Sequence, residues 1–103
     1  MVTEIAFQYI SFDMIICPSN IQKLKQFKKL KKLHFSDNNI HSFIQISKLE
    51  YLPHLASLSI HNNDIANNSV ILRSFIVYRF PSILEINGRP TTDRDRLRAR
   101  QQF

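Results

Sequence analysis

Histidine and serine side chains are the groups of this chain that could do chemistry together. His34 and His61 lie near Ser36 and Ser59 in two short segments where apolar and polar residues alternate. Two imidazoles could contribute to a zinc site, but zinc expects four ligands and the sequence suggests no third or fourth. A serine nucleophile would need an acid to orient the histidine and donors for the oxyanion, and neither is implied. We therefore predict no catalytic residue, no metal, no cofactor and no enzyme activity.

The composition is that of a folded protein of a reducing compartment. Of the 103 residues, 44% are hydrophobic and only one is a glycine, which argues against disorder and flexible linkers. Cys17 is the only cysteine, so no intrachain disulfide and no cysteine-based zinc site can form. No apolar run approaches the ~18 residues that a membrane-spanning helix requires. We expect an intracellular protein without a membrane partner.

A pattern of apolar residues that occurs twice predicts the elements that position these side chains. The two copies are Phe27-x-x-Leu30-x-x-Leu33-x-Phe35-x-x-Asn38-x-Ile40 and Leu52-x-x-Leu55-x-x-Leu58-x-Ile60-x-x-Asn63-x-Ile65. This is the leucine-rich repeat signature, whose period is about 20 to 29 residues. It predicts an α/β leucine-rich repeat solenoid segment, with short parallel strands on a concave face and short helices or 3₁₀ turns on the convex face.

The alternation at period two assigns side chains to the two faces of each strand. Leu33, Phe35, Leu58 and Ile60 are expected to point inward, and the residues between them to face solvent on the concave side. His34 and His61 become diagonal neighbours in this frame. The predicted partner-binding residues are Lys32, His34, Ser36, Ser57, Ser59, His61, Glu85 and Asn87. Asn38 and Asn63 follow the strands and are predicted to form a structural asparagine ladder that hydrogen-bonds turn backbone.

The repeat frame divides the chain into four parts. We predict a degenerate or truncated repeat at 1–18, leucine-rich repeats at 19–41 and 42–66, and a C-terminal cap at 67–103. A strand at 2–8 would present an open edge. Three interpretations of that edge stay open: the sequence is part of a longer protein, another chain covers the edge, or the edge is tolerated.

The C-terminal segment carries a more specific resemblance. The run from Tyr78-Arg79-Phe80-Pro81 through Ile86-Asn87-Gly88, followed by Thr92 and Asp95-Arg96, resembles the C-terminal cap of short intracellular leucine-rich repeat proteins. The resemblance implies cap roles for Tyr78, Arg79, Pro81, Ile86 and Gly88. Such caps occur in ciliary and axonemal members, in phosphatase regulatory subunits and in the spliceosomal A-prime protein.

This resemblance implies a non-enzymatic protein–protein interaction scaffold, in a ciliary or microtubule-associated assembly. The implied location is the cytoplasm or the cilium and cytoskeleton, with the nucleus as the alternative. A ribonucleoprotein scaffold resembling the spliceosomal A-prime protein and a phosphatase-regulatory binding module are the alternative functions.

The basic residues are concentrated in two blocks and contribute to a formal net charge of +6. The first block runs from Lys23 to Lys32, and the second contains the arginines from Arg94 to Arg100. The lysines allow three interpretations: a solvated convex face, contact with an acidic protein surface such as tubulin, or binding of RNA. Direct binding of nucleic acid is the least favoured of the three.

Overall fold

The computed structural model describes residues 1–52 and 54–103. It contains short strands and helices that alternate along the chain. The strands are β1 (Glu4–Gln8), β2 (Lys32–Ser36), β3 (Ser57–His61), β4 (Glu85–Ile86) and β5 (Arg89–Pro90). The α-helices are α1 (Phe12–Ile15), α2 (Pro18–Lys25), α3 (Phe43–Ser47), α4 (Ser69–Arg79) and α5 (Asp93–Gln102), and 3₁₀ helices cover Lys48–Tyr51 and Asp64–Asn67.

The strands form one sheet in the order in which they occur along the chain. β1, β2, β3 and β4 pair in parallel, and β5 pairs with β4 antiparallel. Leu33 lies opposite Leu58, and Phe35 lies opposite Ile60, which is the register that the repeat spacing predicts. The predicted α/β class with short parallel strands is therefore confirmed, and the arrangement is compatible with a leucine-rich-repeat-like fold.

The hydrophobic core lies between the sheet and the helices. Leu33, Phe35, Leu58 and Ile60 are at most 2% exposed, as the alternation predicts. The Phe35 ring packs edge-on against Phe12 at 5.1 Å between centroids. Such burial of large side chains is the main driving force for folding, at roughly 1.5–3 kcal/mol for each.

The sequence predicts that the segment between β1 and β2 contains a helix starting near Ser19-Asn20. The predicted apolar stripe of this helix is Ile21, Leu24, Phe27 and Leu30. Helix α2 differs from this prediction in two details. The helix begins at Pro18 rather than at Ser19 or Asn20, because the fixed φ of proline suits the first helical turn. It ends at Lys25, so Phe27 no longer follows the helical period and is 40% exposed instead of buried. The expected apolar stripe therefore reaches only Ile21 and Leu24 within the helix.

A left-handed residue terminates each parallel strand. Tyr9, Asp37, Asn62 and Asn87 directly follow β1 to β4, and their φ angles lie between 51° and 60°. Asparagine and aspartate adopt this conformation more readily than other side chains, because they form local hydrogen bonds. The chain thus turns away from the sheet directly after each parallel strand. Tyr9 is the bulky exception, and it is 77% exposed.

Asparagine side chains connect the turn after one strand to the preceding strand or to the turn that follows it. The Asn63 Oδ1 accepts hydrogen bonds from the backbone N–H of Asn38 at 2.8 Å and of Ile40 at 3.1 Å. Its Nδ2 donates to the His61 carbonyl at 2.7 Å. Asn63 is only 7% exposed, so these backbone groups have little access to water. The side chain therefore satisfies donors that would otherwise be buried without a partner.

Asn38 and Asn87 make related contacts in the neighbouring units. The Asn38 Nδ2 donates to the Ile10 carbonyl at 2.8 Å, and the Asn87 Oδ1 accepts from the Ile60 N–H at 2.7 Å. Within the described residues, the buried Asn38 Oδ1 has no hydrogen-bond partner. The network is thus most complete at Asn63.

Replacing Asn63 with alanine should destabilise the chain by about 2–4 kcal/mol, because two buried N–H groups lose their acceptor. Urea unfolding followed by circular dichroism measures this loss. Asn67→Ala is the control, since Asn67 is exposed at the end of a 3₁₀ helix, and its loss should stay within about 0.5 kcal/mol. Equal effects of the two substitutions would contradict the role given to Asn63.

The cap residues lie at the C-terminal end of the sheet. Asn87 and Gly88, with φ of 51° and 78°, form the turn of the β4–β5 hairpin, where positive φ at both positions is required. Ile86 is 2% exposed, and the Tyr78 ring stacks on Phe103 at 5.5 Å. Arg79, the last residue of α4, pairs with Glu50 in the preceding unit, whereas Pro81 is exposed just beyond the end of that helix.

An ion pair attaches the last helix to α4. The Arg73 guanidinium donates from Nε and Nη2 to the two carboxylate oxygens of Asp95, at 3.1 and 2.8 Å. Asp95 also completes a capping box with Thr92 at the start of α5. From the sequence, either Thr91 or Thr92 is a candidate cap of this helix, and Asp93 and Asp95 are favoured in its first turn by the helix dipole. The Arg73 hydrogen bonds hold the pKa of Asp95 well below its ordinary range.

Because the pKa of Asp95 is lower in the folded chain, this pair stabilises the fold above the ordinary aspartate pKa of about 3.9. Its contribution is lost as the pH falls through the folded pKa. Asp95→Asn should therefore destabilise the chain at neutral pH by about 1–3 kcal/mol and reduce the loss of stability below about pH 4. Urea titrations at several pH values measure both effects.

Asp93→Asn is the matched control for this prediction, because Asp93 lies in the same helical turn with a fully exposed side chain. Asp93→Asn should leave the pH dependence of the free energy of unfolding almost the same as in the wild type. An unchanged pH dependence in Asp95→Asn would show that the Arg73 pair does not govern acid stability.

Candidate functional site

The outward side of the parallel strands carries the predicted binding residues. We call this surface the strand face, and it consists of Glu4, Ala6, Gln8, Lys32, His34, Ser36, Ser57, Ser59, His61 and Glu85. The backbone register aligns them in rows across the sheet, such as Glu4–Lys32–Ser57–Glu85. Neighbours in such a row are ~5 Å apart at Cβ. The side chains are therefore held at fixed spacing by the strands.

The sequence predicted that the two serines of β3 face solvent, but the structure buries both. Ser57 is 4% and Ser59 7% exposed, whereas His61 on the same strand is exposed. Ser57 lies between the longer side chains of Lys32 and Glu85, and its Oγ donates to Glu85 Oε1 at 3.1 Å. Ser59 lies opposite His34 of β2. The two serines form the floor of the strand face, and larger neighbours make its rim.

Asn87 also differs from the prediction, because it lies one residue beyond β4 in the hairpin turn. Its Oδ1 accepts a hydrogen bond from the Ile60 N–H at 2.7 Å, so this oxygen supports the sheet. The Asn87-Gly88 dipeptide is typical of a turn, but nothing in the sequence indicates the contact of Asn87 with Ile60.

Glu4 and His34 form a pair on the strand face. The distance between Glu4 Oε1 and His34 Nε2 is 2.7 Å, and both side chains are partly exposed. The hydrogen bond from His34 lowers the pKa of Glu4. Sequence reasoning did not connect the two residues. The available signal was the register, which makes them diagonal neighbours within reach of long side chains.

The contacts around the two histidines do not assemble catalytic or metal chemistry in the described part of the chain. His34 and His61 are diagonal across β2 and β3, but the Nε2 of His34 contacts Glu4. The Ser36 hydroxyl donates to Asp37 instead of to an imidazole. Among residues 1–52 and 54–103, no group of three or more histidine, cysteine, aspartate or glutamate side chains is placed to hold a metal ion.

No helix in the described ranges is both long and apolar enough to pass through a membrane.

The parallel strands and the short helices between them are compatible with a leucine-rich-repeat-like fold. Sequence comparison supports a similarity to leucine-rich repeat proteins. Leucine-rich repeat-containing protein 36 of Mus musculus is 26% identical over 85 residues, which is 82% of this chain and 11% of that protein. The Homo sapiens protein of the same name is 25% identical over the same shares.

A further similar protein is tubulin-specific chaperone E of Dictyostelium discoideum. It is 39% identical over 56 residues, which cover 54% of this chain and 11% of the chaperone. No protein-family model matches the chain. The chain spans about one tenth of the length of the curated relatives that it matches. These relatives are repeat and chaperone proteins rather than enzymes, and they indicate a protein-interaction module.

The Glu4–His34 pair makes a testable prediction about charge on the strand face. His34→Ala should raise the pKa of Glu4 towards its ordinary value, because the carboxylate loses its hydrogen bond. Carboxyl-detected NMR titration measures this pKa. His61→Ala removes the other histidine of the face and should leave the pKa of Glu4 unchanged; equal shifts in both variants would contradict the pairing.

Proposed function

We propose that this chain is a leucine-rich repeat solenoid segment that acts as a non-enzymatic protein-interaction module and binds its partner through the strand face. The observation that carries this proposal is the row of polar side chains that parallel strands hold in fixed register. Lys32, His34 and His61 are accessible there, with Ser57 and Ser59 as the floor between the strands. Binding residues positioned on strands lose little freedom when a partner docks.

The chemistry of the strand face suits a polar partner. Glu4 lies on β1 and Glu85 on β4, which are the first and last of the four parallel strands, and Lys32 and His34 lie on β2. A partner could therefore offer a carboxylate to Lys32 and hydrogen-bonding groups to the imidazoles. Complementary charges of this kind fix the orientation of a partner and increase the rate of association.

We further propose that the partner belongs to a ciliary or microtubule-associated assembly, with tubulin as the first candidate. Two observations support this setting. The cap segment from Tyr78 to Gly88 resembles the caps of ciliary leucine-rich repeat proteins. More than half of the chain is similar to a chaperone whose name assigns it to tubulin. Cytoplasm or cilium is the corresponding location.

The proposal is tested by titrating fluorescent tubulin dimers with the wild-type chain and with the double variant His34→Ala/His61→Ala. We expect the wild type to bind and the double variant to bind at least about tenfold more weakly, which corresponds to about 1.4 kcal/mol. His41→Ala is the control, because it removes an exposed histidine outside the strand face.

Each result separates one part of the proposal from the other. Unchanged binding by the double variant would overturn the role of the strand face. Absence of tubulin binding by the wild type would overturn the tubulin assignment, and cross-linking with mass spectrometry would then identify the protein that contacts His34 and His61.

A further inference from the structure

A groove on the convex side of the chain lies among the lysines of the first basic block. Two adjoining cavities of about 250 and 430 Å³ both have Lys25 and Tyr51 in their walls. We call them together the convex groove, and the residues that matter for its chemistry are Leu24, Lys25, Phe27, Lys28, Lys48 and Tyr51. Helix α2, the turn that follows it and the 3₁₀ helix Lys48–Tyr51 contribute these residues.

The groove combines a fixed apolar floor with accessible aromatic rings. Leu24 is 7% exposed and belongs to the hydrophobic core, so the floor is part of the packed structure. Phe27 and Tyr51, in contrast, are 40% and 59% exposed. Large aromatic side chains that stay accessible beside a rigid apolar floor are typical anchors of binding sites. Because α2 ends before Phe27, this ring is one of the two aromatic side chains accessible beside the floor.

The rim of the groove is positively charged. Lys25 and Lys28 line the first cavity, and Lys48 lines the second, with the Lys25 Nζ 5.2 Å from the centre of the Tyr51 ring. Within the described residues, no lysine takes part in an ion pair, whereas Arg73, Arg79 and Arg96 each pair with a carboxylate. The lysines of the rim therefore lack an ion-pair partner in the part of the chain that the structure describes.

Nearby carboxylates are already engaged elsewhere. Asp13 lines the second cavity, but its Oδ1 accepts a hydrogen bond from Gln45 Nε2 at 3.1 Å. Glu50 precedes Tyr51 and is paired with Arg79. Neither side chain contacts a lysine of the rim, so the groove keeps an excess of positive charge that an acidic ligand would complement.

We propose that the convex groove binds an acidic peptide segment with one large aromatic or aliphatic side chain, which enters beside Phe27 and Tyr51 while flanking carboxylates meet Lys25, Lys28 and Lys48. This second binding surface does not depend on the strand-face proposal, because the two surfaces share none of these residues. A protein segment fits better than RNA, since the leucine floor offers no hydrogen-bonding partners for the edges of a base.

The test uses a fluorescein-labelled synthetic peptide in which one phenylalanine is flanked on both sides by glutamates, titrated with the 103-residue chain and followed by fluorescence anisotropy. The key comparison is Lys28→Glu against Lys29→Glu. Both residues are exposed and adjacent, and both substitutions change the net charge equally, but only Lys28 lines the groove. Lys28→Glu should weaken binding at least about fivefold, and Lys29→Glu less than about twofold.

A second pair of variants tests the apolar contact. Tyr51→Ala should weaken binding at least about fivefold, whereas Ile44→Ala, which removes a 72% exposed apolar side chain outside the groove, should have little effect. Thermal melting of all four variants is the check that each remains folded. The variant His34→Ala/His61→Ala should bind the peptide as the wild type does, which separates this proposal from the strand face.

Three results would overturn the proposal. Equal losses in Lys28→Glu and Lys29→Glu would indicate general charge attraction without a defined groove. Equal binding of a peptide with alanine in place of the phenylalanine would exclude an apolar anchor. Tighter binding of a single-stranded RNA oligomer, with the same contrast between the two lysine variants, would make the groove a nucleic-acid site instead.

Discussion

The need to satisfy buried backbone groups at every turn is the constraint on which the rest of this structure depends. Each parallel strand ends in a left-handed residue, and the chain then leaves the sheet with N–H and carbonyl groups that strand pairing no longer covers. The Asn63 side chain takes over this role for two donors of the preceding unit. An amide is suited to the task because it is short and can accept and donate at the same time. Successive units therefore keep one register.

A fixed register determines what the outer surface of the strands can do. Alternate side chains leave the sheet at intervals set by backbone hydrogen bonds, so the separation of Lys32, His34 and His61 does not depend on mobile loops. The serines of β3 are short and buried, so the centre of this face does not protrude. Recognition by such a surface depends on which side chains occupy the positions, since the backbone frame stays the same. The binding residues can thus change while the asparagine contacts and the core are retained.

The sequence predicted those features that follow from periodicity and local chemistry. Inward Leu33 and Phe35, the parallel register and the Thr92 cap of the last helix all belong to this group, because each depends on spacing or on neighbouring residues. Features that depend on the size of residues distant in sequence were missed. The burial of Ser57 and Ser59 arises from their cross-strand neighbours. The exposure of Phe27 arises because α2 ends two residues earlier.

The distribution of charge adds a constraint of its own. Arginines of the C-terminal part compensate carboxylates and stabilise the cap, as Arg73 does with Asp95 and Arg79 with Glu50. The lysines of the first block are solvated instead, which fits the stronger hydration of an ammonium group and the planar geometry of guanidinium pairing. Arg73, Arg79 and Arg96 thus pair with carboxylates of the fold, whereas no lysine of the described residues does. The proposed convex groove uses this difference, because its rim is formed by lysines. The proposed groove shares no residue with the strand face, so the two proposed binding surfaces do not overlap.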